Sequence, residues 1–352
     1  MPRTYDNMNI VIIMLGRKLG GIEQVALDYC LALQHAGCHI LCVTDTRALI
    51  NSHMTDACIR FTTISNWGAW DGFAAKHIRA ICNIFKADAI ISHGNRALNL
   101  TARARLHIPH ITVAHNYLNK HFHKADAALC ITHALQHHLI EQHQLHESRC
   151  FHMPNMCHIT PPPSRTHFHK PVRIGTMGRM VHKKGFDVWL HALSLLKERA
   201  IEFDAWIAGD GEERLALETL CSELNLNDHV TFKGWIDDSR SFLENCDIFS
   251  LPSRHEPFGI VVLEAMNAAM PIIATQCEGP KEILTSEIGT LVPVNDAEAM
   301  AHALAHTIHH ETESLAQGTR AYHYVNAHYN ILTLSSKLRD IVAHIITLAS
   351  EK

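Results

Sequence analysis

Two carboxylates with seven residues between them bracket the start of an apolar segment, in Ser253-Arg254-His255-Glu256-Pro257-Phe258-Gly259-Ile260-Val261-Val262-Leu263-Glu264-Ala265-Met266. From about Gly259 to Ala269 the residues are apolar nearly all round, the pattern of a buried helix. Glu264 falls in its middle, and an unpaired carboxylate is costly to bury, so some group must hydrogen-bond it. Glu256 precedes the helix, in a loop that follows a strand. The N–H groups of Phe258, Gly259 and Ile260 then face outward at the positive end of the helix dipole, which is an anion site. The alternative is structural, with Glu264 paired to a neighbouring Arg and Glu256 in solvent.

A second segment, Gly178-Arg179-Met180-Val181-His182-Lys183-Lys184-Gly185, directly follows the apolar run Val172 to Met177. It offers Arg179 and Lys184 at the carboxyl end of a strand, in a loop that feeds a helix. Such a pair can clamp a diphosphate, Arg as a fork and Lys as a point charge; it can equally be a solvated basic turn. The loop is not a P-loop, since it lacks the Gly-Lys-Ser/Thr ending. A third segment, Gly20-Gly21-Ile22-Glu23, opens the first helix, where paired glycines allow a ligand to approach the backbone. Asp45 follows the second strand as a ribose-binding acid would, yet Gly16, Gly20 and Gly21 lack the Gly-x-Gly-x-x-Gly spacing, so a dehydrogenase is disfavoured.

Alternating strands and helices must position these groups. Strands are predicted at Met8 to Leu15, His39 to Thr44, Ala89 to Ser92, His110 to Ala114, Ala127 to Ile131 and Cys150 to Met153. The pattern stops at Thr160-Pro161-Pro162-Pro163-Ser164, which can form neither a helix interior nor a central strand. It restarts at Val172 to Met177, with further strands at Phe203 to Ala208, Val230 to Phe232, Asp247 to Leu251 and Ile272 to Ala274. This order predicts an α/β protein of two doubly wound parallel-sheet domains, residues 1–160 and 166–329, facing across a cleft. An amphipathic helix over about 330–352 is expected to pack back on the first.

The composition fits this architecture. The 352 residues are 47% hydrophobic and 19% charged, as in ordinary globular proteins. No apolar run is long enough to span a bilayer and no signal peptide opens the chain, which predicts a cytoplasmic protein. The 11 cysteines form no Cys-x-x-Cys pair, as expected of thiols in a reducing compartment. Among the 30 histidines, His133, His137 and His138, with His143 and His146 beyond, have helical spacing that could place imidazoles on one face for zinc, but no Cys/His set has zinc-finger spacing and histidines occur throughout, so the excess reads as compositional. Residues 1–165 carry 15 Lys and Arg against 10 Asp and Glu, a balance of +5, while the remainder stands at −9. A basic first half suggests an anionic surface or substrate on that side.

In this order the segments resemble the retaining GT-B glycosyltransferases of family 4, the group 1 glycosyltransferases. The likeness is most specific over Val172 to Val294, through the Gly-Arg…Lys-Lys-Gly loop, Ala208-Gly209-Asp210-Gly211, Phe232-Lys233-Gly234-Trp235 and the two spaced glutamates. It is looser in the first half, through Gly20-Gly21-Ile22-Glu23, Val113-Ala114-His115-Asn116 and Met153-Pro154-Asn155. Met270, before Pro271, stands where the family usually has glycine.

The resemblance implies a glycosyltransferase that takes a UDP- or GDP-sugar as substrate, uses no cofactor, and retains configuration at the anomeric carbon. It implies a first domain on the acceptor side and a second that binds the donor. Arg179 and Lys184 would neutralise the leaving diphosphate, and the N–H groups of Phe258, Gly259 and Ile260 would hold the distal phosphate. Glu256 would meet the sugar hydroxyls and Glu264 the ribose, with the base on the backbone of Gly234, Trp235 and Ile236. His115 would face the donor sugar, and the Gly20-Gly21 loop would admit phosphate and acceptor. No Asp-x-Asp occurs, so a metal-independent mechanism is expected, with protein cations and a helix dipole stabilising the leaving group.

The acceptor is expected to be a glycan, lipid-linked or lipopolysaccharide-type molecule, and no nucleic-acid partner is indicated. An anionic membrane face is a further candidate partner, making the protein peripheral on the inner face of the cell membrane. Lys76, Arg79 and Lys86 lie near Ile78, Ile81, Ile84 and Phe85 at helical spacing, as in an interfacial segment; those apolar residues could instead pack inward. A GT-B-type sugar-nucleotide 2-epimerase and a silent GT-B binding subunit are the alternative functions.

Overall fold

The computed structural model describes residues 7–118 and 121–351. The chain divides into two compact units, residues 1–158 with 329–352, and residues 159–328. Unit one begins with β1 (Asn9–Met14), α1 (Gly21–His35), β2 (His39–Asp45), α2 (Ile50–Asp56), β3 (Phe61–Ile64) and α3 (Gly72–Phe85). It continues with β4 (Ala89–His93), α4 (Gly94–Ala104), β5 (His110–Ala114), β6 (Ala127–Cys130), α5 (His133–His143) and β7 (Cys150–His152).

Unit two opens with β8 (Val172–Met177), α6 (Phe186–Glu198), β9 (Phe203–Ala208), α7 (Arg214–Glu223), β10 (Val230–Gly234) and α8 (Ser239–Glu244). Next come β11 (Ile248–Leu251), α9 (Ile260–Asn267), β12 (Ile272–Thr275) and α10 (Glu278–Ile283). β13 (Thr290–Val292), α11 (Ala297–His309) and α12 (Glu311–His328) complete it. The last helix, α13 (Ile331–Ser350), returns to unit one and packs on α1.

Both sheets are wholly parallel. Their strand orders are β3-β2-β1-β4-β5-β6-β7 and β10-β9-β8-β11-β12-β13, so each reverses direction once, between β1 and β4 and between β8 and β11. Central strands covered on both faces must be apolar throughout, and residues 10–14 and 89–93 are buried without interruption. In unit two, Trp189 and Phe186 of α6 and Phe203 of β9 fill the core at no more than 1% exposure. Side-chain caps fix several helix starts: Asp71 for α3, Thr132 for α5, Asp238 for α8, Asp296 for α11 and Asn330 for α13.

Such a sheet presents its ligand loops beyond the carboxyl ends of the strands at the point of reversal. The loops after β8 and β11 therefore hold the positions that matter in unit two, and those after β1 and β4 in unit one. The anticipated interfacial stretch does not stand apart from the fold. Ile78 is fully buried, and Ile81 and Phe85 pack against the core beside it, leaving only Ile84 exposed.

Candidate active site

The loops after β8 and β11 interlock through their backbones. The N–H groups of Arg254 and His255 donate to the Lys183 carbonyl at 2.8 and 3.2 Å. Gly185 sits against Pro252 in left-handed conformation (φ +65°), and a β-carbon there would lie 2.2 Å from the Pro252 carbonyl oxygen. Only glycine permits that approach. Arg254 locks the junction, donating to both oxygens of Asp187 at 2.7 and 2.6 Å and to the His182 carbonyl at 2.8 Å. This hold draws Arg254 away from any ligand and makes it a structural cation.

The interlock brings Lys184 onto Glu256. The ammonium donates to Oε2 of Glu256, and both side chains are 14% exposed. The resemblance assigned these residues to two different parts of a donor, and the structure pairs them with each other. Glu256 is therefore not in solvent. Its carbonyl accepts from the Gly279 N–H at 2.9 Å, while Glu278 takes the His255 ring at 2.7 Å. Arg179 lies in the same loop as Lys184, exposed, and among the described residues no side chain pairs with it.

Gly259 caps α9 in left-handed conformation (φ +95°), which turns the chain from the Glu256 loop into the helix. Phe258 is buried at 4%, and among the described residues no acceptor takes the N–H of Gly259 or Ile260. Glu264, one turn further on, is half-buried, less enclosed than its apolar neighbours suggest. No Arg meets it. The Ser239 hydroxyl donates to it at 3.3 Å, and desolvation pushes its carboxyl up to about 7 although that bond favours the anion. A carboxylate so weakly held is poised for hydroxyl donors.

Beyond β10, Gly234 (φ +70°) gives its carbonyl to the Gly209 N–H at 2.7 Å. Trp235 is 57% exposed with its indole N–H on Asp237, and Ile236 is half-buried. Met270 is fully buried ahead of β12. Unit two thus gathers Arg179, Lys184, Glu256, the start of α9 and Glu264 around the point of reversal of its sheet.

In unit one the Gly20-Gly21 loop is not an open cradle. The carboxylate of Glu23 folds back over it, so that a β-carbon on Gly16 would lie 1.9 Å from Oε1 of Glu23 and one on Gly20 3.3 Å from Oε2. Gly20 is extended (φ −170°), so the loop owes its space to missing side chains and not to left-handed backbone. Asp45 is fully buried and takes Arg17, Arg47 and Asn66, a structural clamp with no room for a ribose.

His115 follows β5, with its Nε2 3.2 Å from Nδ1 of His93 at the end of β4. Burial holds His115 down at about 4, and burial together with His115 holds His93 well below the ordinary imidazole range. Both rings are neutral at neutral pH. His93 also meets Tyr29 edge to face at 5.0 Å. Sequence reading ended that strand at Ser92 and so passed over His93, whose signal was a polar residue closing an apolar run. Among the described residues no group of three or more His, Cys, Asp or Glu gathers as a metal site.

Two Rossmann-like units carrying a basic loop, a helix N-terminus and an open carboxylate at a sheet reversal define a protein of the nucleotide-binding class. Comparisons with known proteins narrow this. Residues 162–324 match the sequence model described as glycosyl transferases group 1, and residues 19–161 match the one described as glycosyltransferase family 4. The two matches together span residues 19–324, and the two parallel-sheet units have the GT-B fold.

Among curated proteins it is similar to the lipopolysaccharide core biosynthesis glycosyltransferase LpsE of Rhizobium meliloti, 39% identical over 130 residues, 37% of each chain. It is 38% identical over 149 residues to LpsD of the same organism, covering 41% of this chain and 42% of that protein. The alignments thus span less than half of these relatives' own length. A glycosyltransferase from Rickettsia africae superposes with a TM-score of 0.81 at 19% identity, covering 97% of this chain and 99% of its own. Anabaena Alr3699/HepE in complex with UDP and glucose gives 0.81 at 18%, covering 96% and 100%, which establishes the shared fold.

Proposed function

We propose that this protein transfers a hexosyl or related group from a nucleoside diphosphate sugar to a glycan, lipid-linked or lipopolysaccharide-type acceptor. The observation that carries the reading is the meeting of Lys184 and Glu256, from loops after adjacent central strands, beside the α9 N-terminus. Unit two is the donor side and unit one the acceptor side. A diphosphate arriving at this site takes the Lys184 ammonium and Arg179, and receives the Gly259 and Ile260 N–H groups. Glu256, released from Lys184, is then free for sugar hydroxyls, and Glu264 for the two hydroxyls of the ribose. Gly234, Trp235 and Ile236 receive the base.

Charge builds on the diphosphate as the glycosidic bond breaks, and fixed cations with a helix dipole stabilise it there. We assign the reaction to the retaining family 4 type, without a metal ion, the leaving phosphate taking the acceptor's proton on the same face. His115, neutral, faces the donor sugar. The relatives named for lipopolysaccharide core biosynthesis support the acceptor class, and the complex of a similarly folded protein with UDP and glucose supports the donor class. A lipid-linked acceptor places the enzyme on the anionic inner face of the membrane. No helix among the described residues is long and apolar enough to cross a membrane. The test is release of nucleoside diphosphate from a panel of UDP- and GDP-sugars after dialysis against chelator. Turnover by the wild type and its loss in Lys184→Ala support the reading; a strict demand for Mg²⁺ or Mn²⁺ overturns its metal-free part.

A further inference from the structure

The basic excess of the first half is concentrated on one stretch. Between Gly72 and Ala125 the chain has eight Lys and Arg against a single acid, Asp88. Asp88 is engaged, its carboxylate accepting from the Asn9 N–H at 2.8 Å. The stretch includes α3 and α4, which pack side by side, with Arg79 of α3 donating to the Ala104 carbonyl at the end of α4. Where the two helices end, a cavity of about 500 Å³ is lined by Arg79, Lys86, Arg105 and His107, with no acid in its wall. Lys86 and Arg105 are the two C-caps, both left-handed, so each ammonium or guanidinium is set by a fixed turn.

The start of α3 carries three aromatics that the core does not take. Trp67, Trp70 and Phe73 are 97%, 75% and 79% exposed. Their loop is built to hold them out: one carboxylate, Asp71, accepts from the N–H groups of Trp67, Phe73 and Ala74 at 2.9 to 3.0 Å. Cations lie over the rings, Arg103 and Lys124 at 5.3 and 5.8 Å from Trp70, and Lys76 at 5.9 Å from Phe73. Arg103 lies over the Trp70 ring, so the rings mark the start of α3 and the basic cavity its end, on the same helix pair. Each large apolar ring left in water costs on the order of 2 kcal/mol relative to burial, and three held out by a dedicated turn call for a partner.

We propose that this α3–α4 face docks on an anionic lipid bilayer, with the three aromatics entering the interface and the basic cavity receiving a lipid headgroup phosphate. The inference rests on the lipid-linked, membrane-face reading given above and names its surface. Aromatic rings beside lysines and arginines at the start of α3, with a basic hollow at the end of the same helix pair, match the two layers of such an interface. A glycan stacking on Trp70 needs a bare ring face, and Arg103 and Lys124 stand over that ring. The hydrophobic part of the patch lies at the start of α3 and its loop, and not on the inward-packed Ile78 and Ile81.

The experiment is co-sedimentation of the full chain with vesicles of phosphatidylcholine alone, or with about a third phosphatidylglycerol, at low salt. The wild type should pellet with anionic vesicles only and be released by salt at about 0.5 M. Trp67→Ser/Trp70→Ser/Phe73→Ser should abolish pelleting. Lys86→Gln/Arg105→Gln should weaken it by about 25-fold, roughly fivefold for each cation. The control Lys197→Gln/Lys281→Gln, on unit two, should pellet as the wild type does. Donor hydrolysis in vesicle-free buffer, read in parallel, separates the claims: hydrolysis without vesicle binding overturns the docking face and leaves sugar transfer standing. Pelleting unchanged in the aromatic variant, self-association through these aromatics without lipid, or a soluble glycan quenching Trp67 equally well each overturns it too.

Discussion

Replacing Glu264 by Gln removes a charge from the middle of α9 and keeps an oxygen for the Ser239 hydroxyl to reach. Desolvation raises this carboxyl from its usual 4.5 to about 7. Because the folded form holds its proton more tightly, below pH 4.5 the group is neutral in both states and costs nothing. As pH rises from 4.5 to 7 the unfolded chain ionises the group while the folded state still holds its proton, so stability falls across that window and levels off above it. The gap corresponds to at most about 3 kcal/mol at about 1.36 kcal/mol per pH unit. Water reaches the half-buried side chain, so about 2 kcal/mol is the expected size. For unit two, 170 residues long, that raises the midpoint at pH 8 by about 4–8 °C. At pH 4.5 wild type and variant should melt together. Nucleotide affinity should move the other way: loss of two charge-assisted bonds to ribose hydroxyls, at about 1.5 kcal/mol or more each, weakens it by a hundredfold or more. Thermal melts at both pH values and nucleoside diphosphate titration read the two effects. A variant no more stable at pH 8, with undiminished affinity, would refute the reasoning.

Other substitutions probe the rest of the site. Lys184→Ala leaves Glu256 without its cation in a nearly buried position, so it should lose turnover by at least a hundredfold and lower the melting midpoint, while Lys184→Arg should recover stability more than turnover. Gly185→Ala forces a β-carbon against the Pro252 carbonyl, so it should destabilise unit two by about 2 kcal/mol or more and abolish donor binding with it, as calorimetry would read. His93 lies 3.2 Å from the His115 ring; on the proposal that His115 faces the donor sugar, His93→Phe should lower kcat with little change in donor KM, and His93→Gln should restore part of it. Both imidazoles are held down by burial, with His115 at about 4; their contribution to stability is complete above pH 6.5 and should fade as pH drops from 6.5 towards 4, visible as a melting midpoint that falls less steeply in His115→Asn.

The central strands were legible because burial on both faces favours apolar runs, as in β1 and the first three residues of β4. The edge strands β3 and β13 were not, since half-exposed sequences such as Phe61-Thr62-Thr63-Ile64 carry no such run. The loops bearing Lys184 and Glu256 could be read as separate chemical devices. Their pairing could not, because it depends on the Gly185–Pro252 approach between segments remote in sequence. Sequence demanded a partner for Glu264, and the structure supplies only a hydroxyl, leaving the demand for a ligand to meet. The glycines at 20 and 21 promised open space that Glu23, two residues on, fills. At α3 the helical spacing of Ile78 and Ile81 was correctly periodic, yet periodicity alone does not say which face meets the core; the exposed rings lie at the helix start and in the loop before it.

The central claim is that Lys184 and its neighbours break the bond between a sugar and a nucleoside diphosphate. Real-time NMR of the full chain with each UDP- and GDP-sugar, with and without lipopolysaccharide core acceptor, measures this directly. The account predicts that one donor yields nucleoside diphosphate, faster with acceptor and with the sugar's anomeric configuration kept in the product, and that Lys184→Ala stops it. Turnover of the donor to an epimer with no sugar on the acceptor, or the same release by Lys184→Ala, would contradict it.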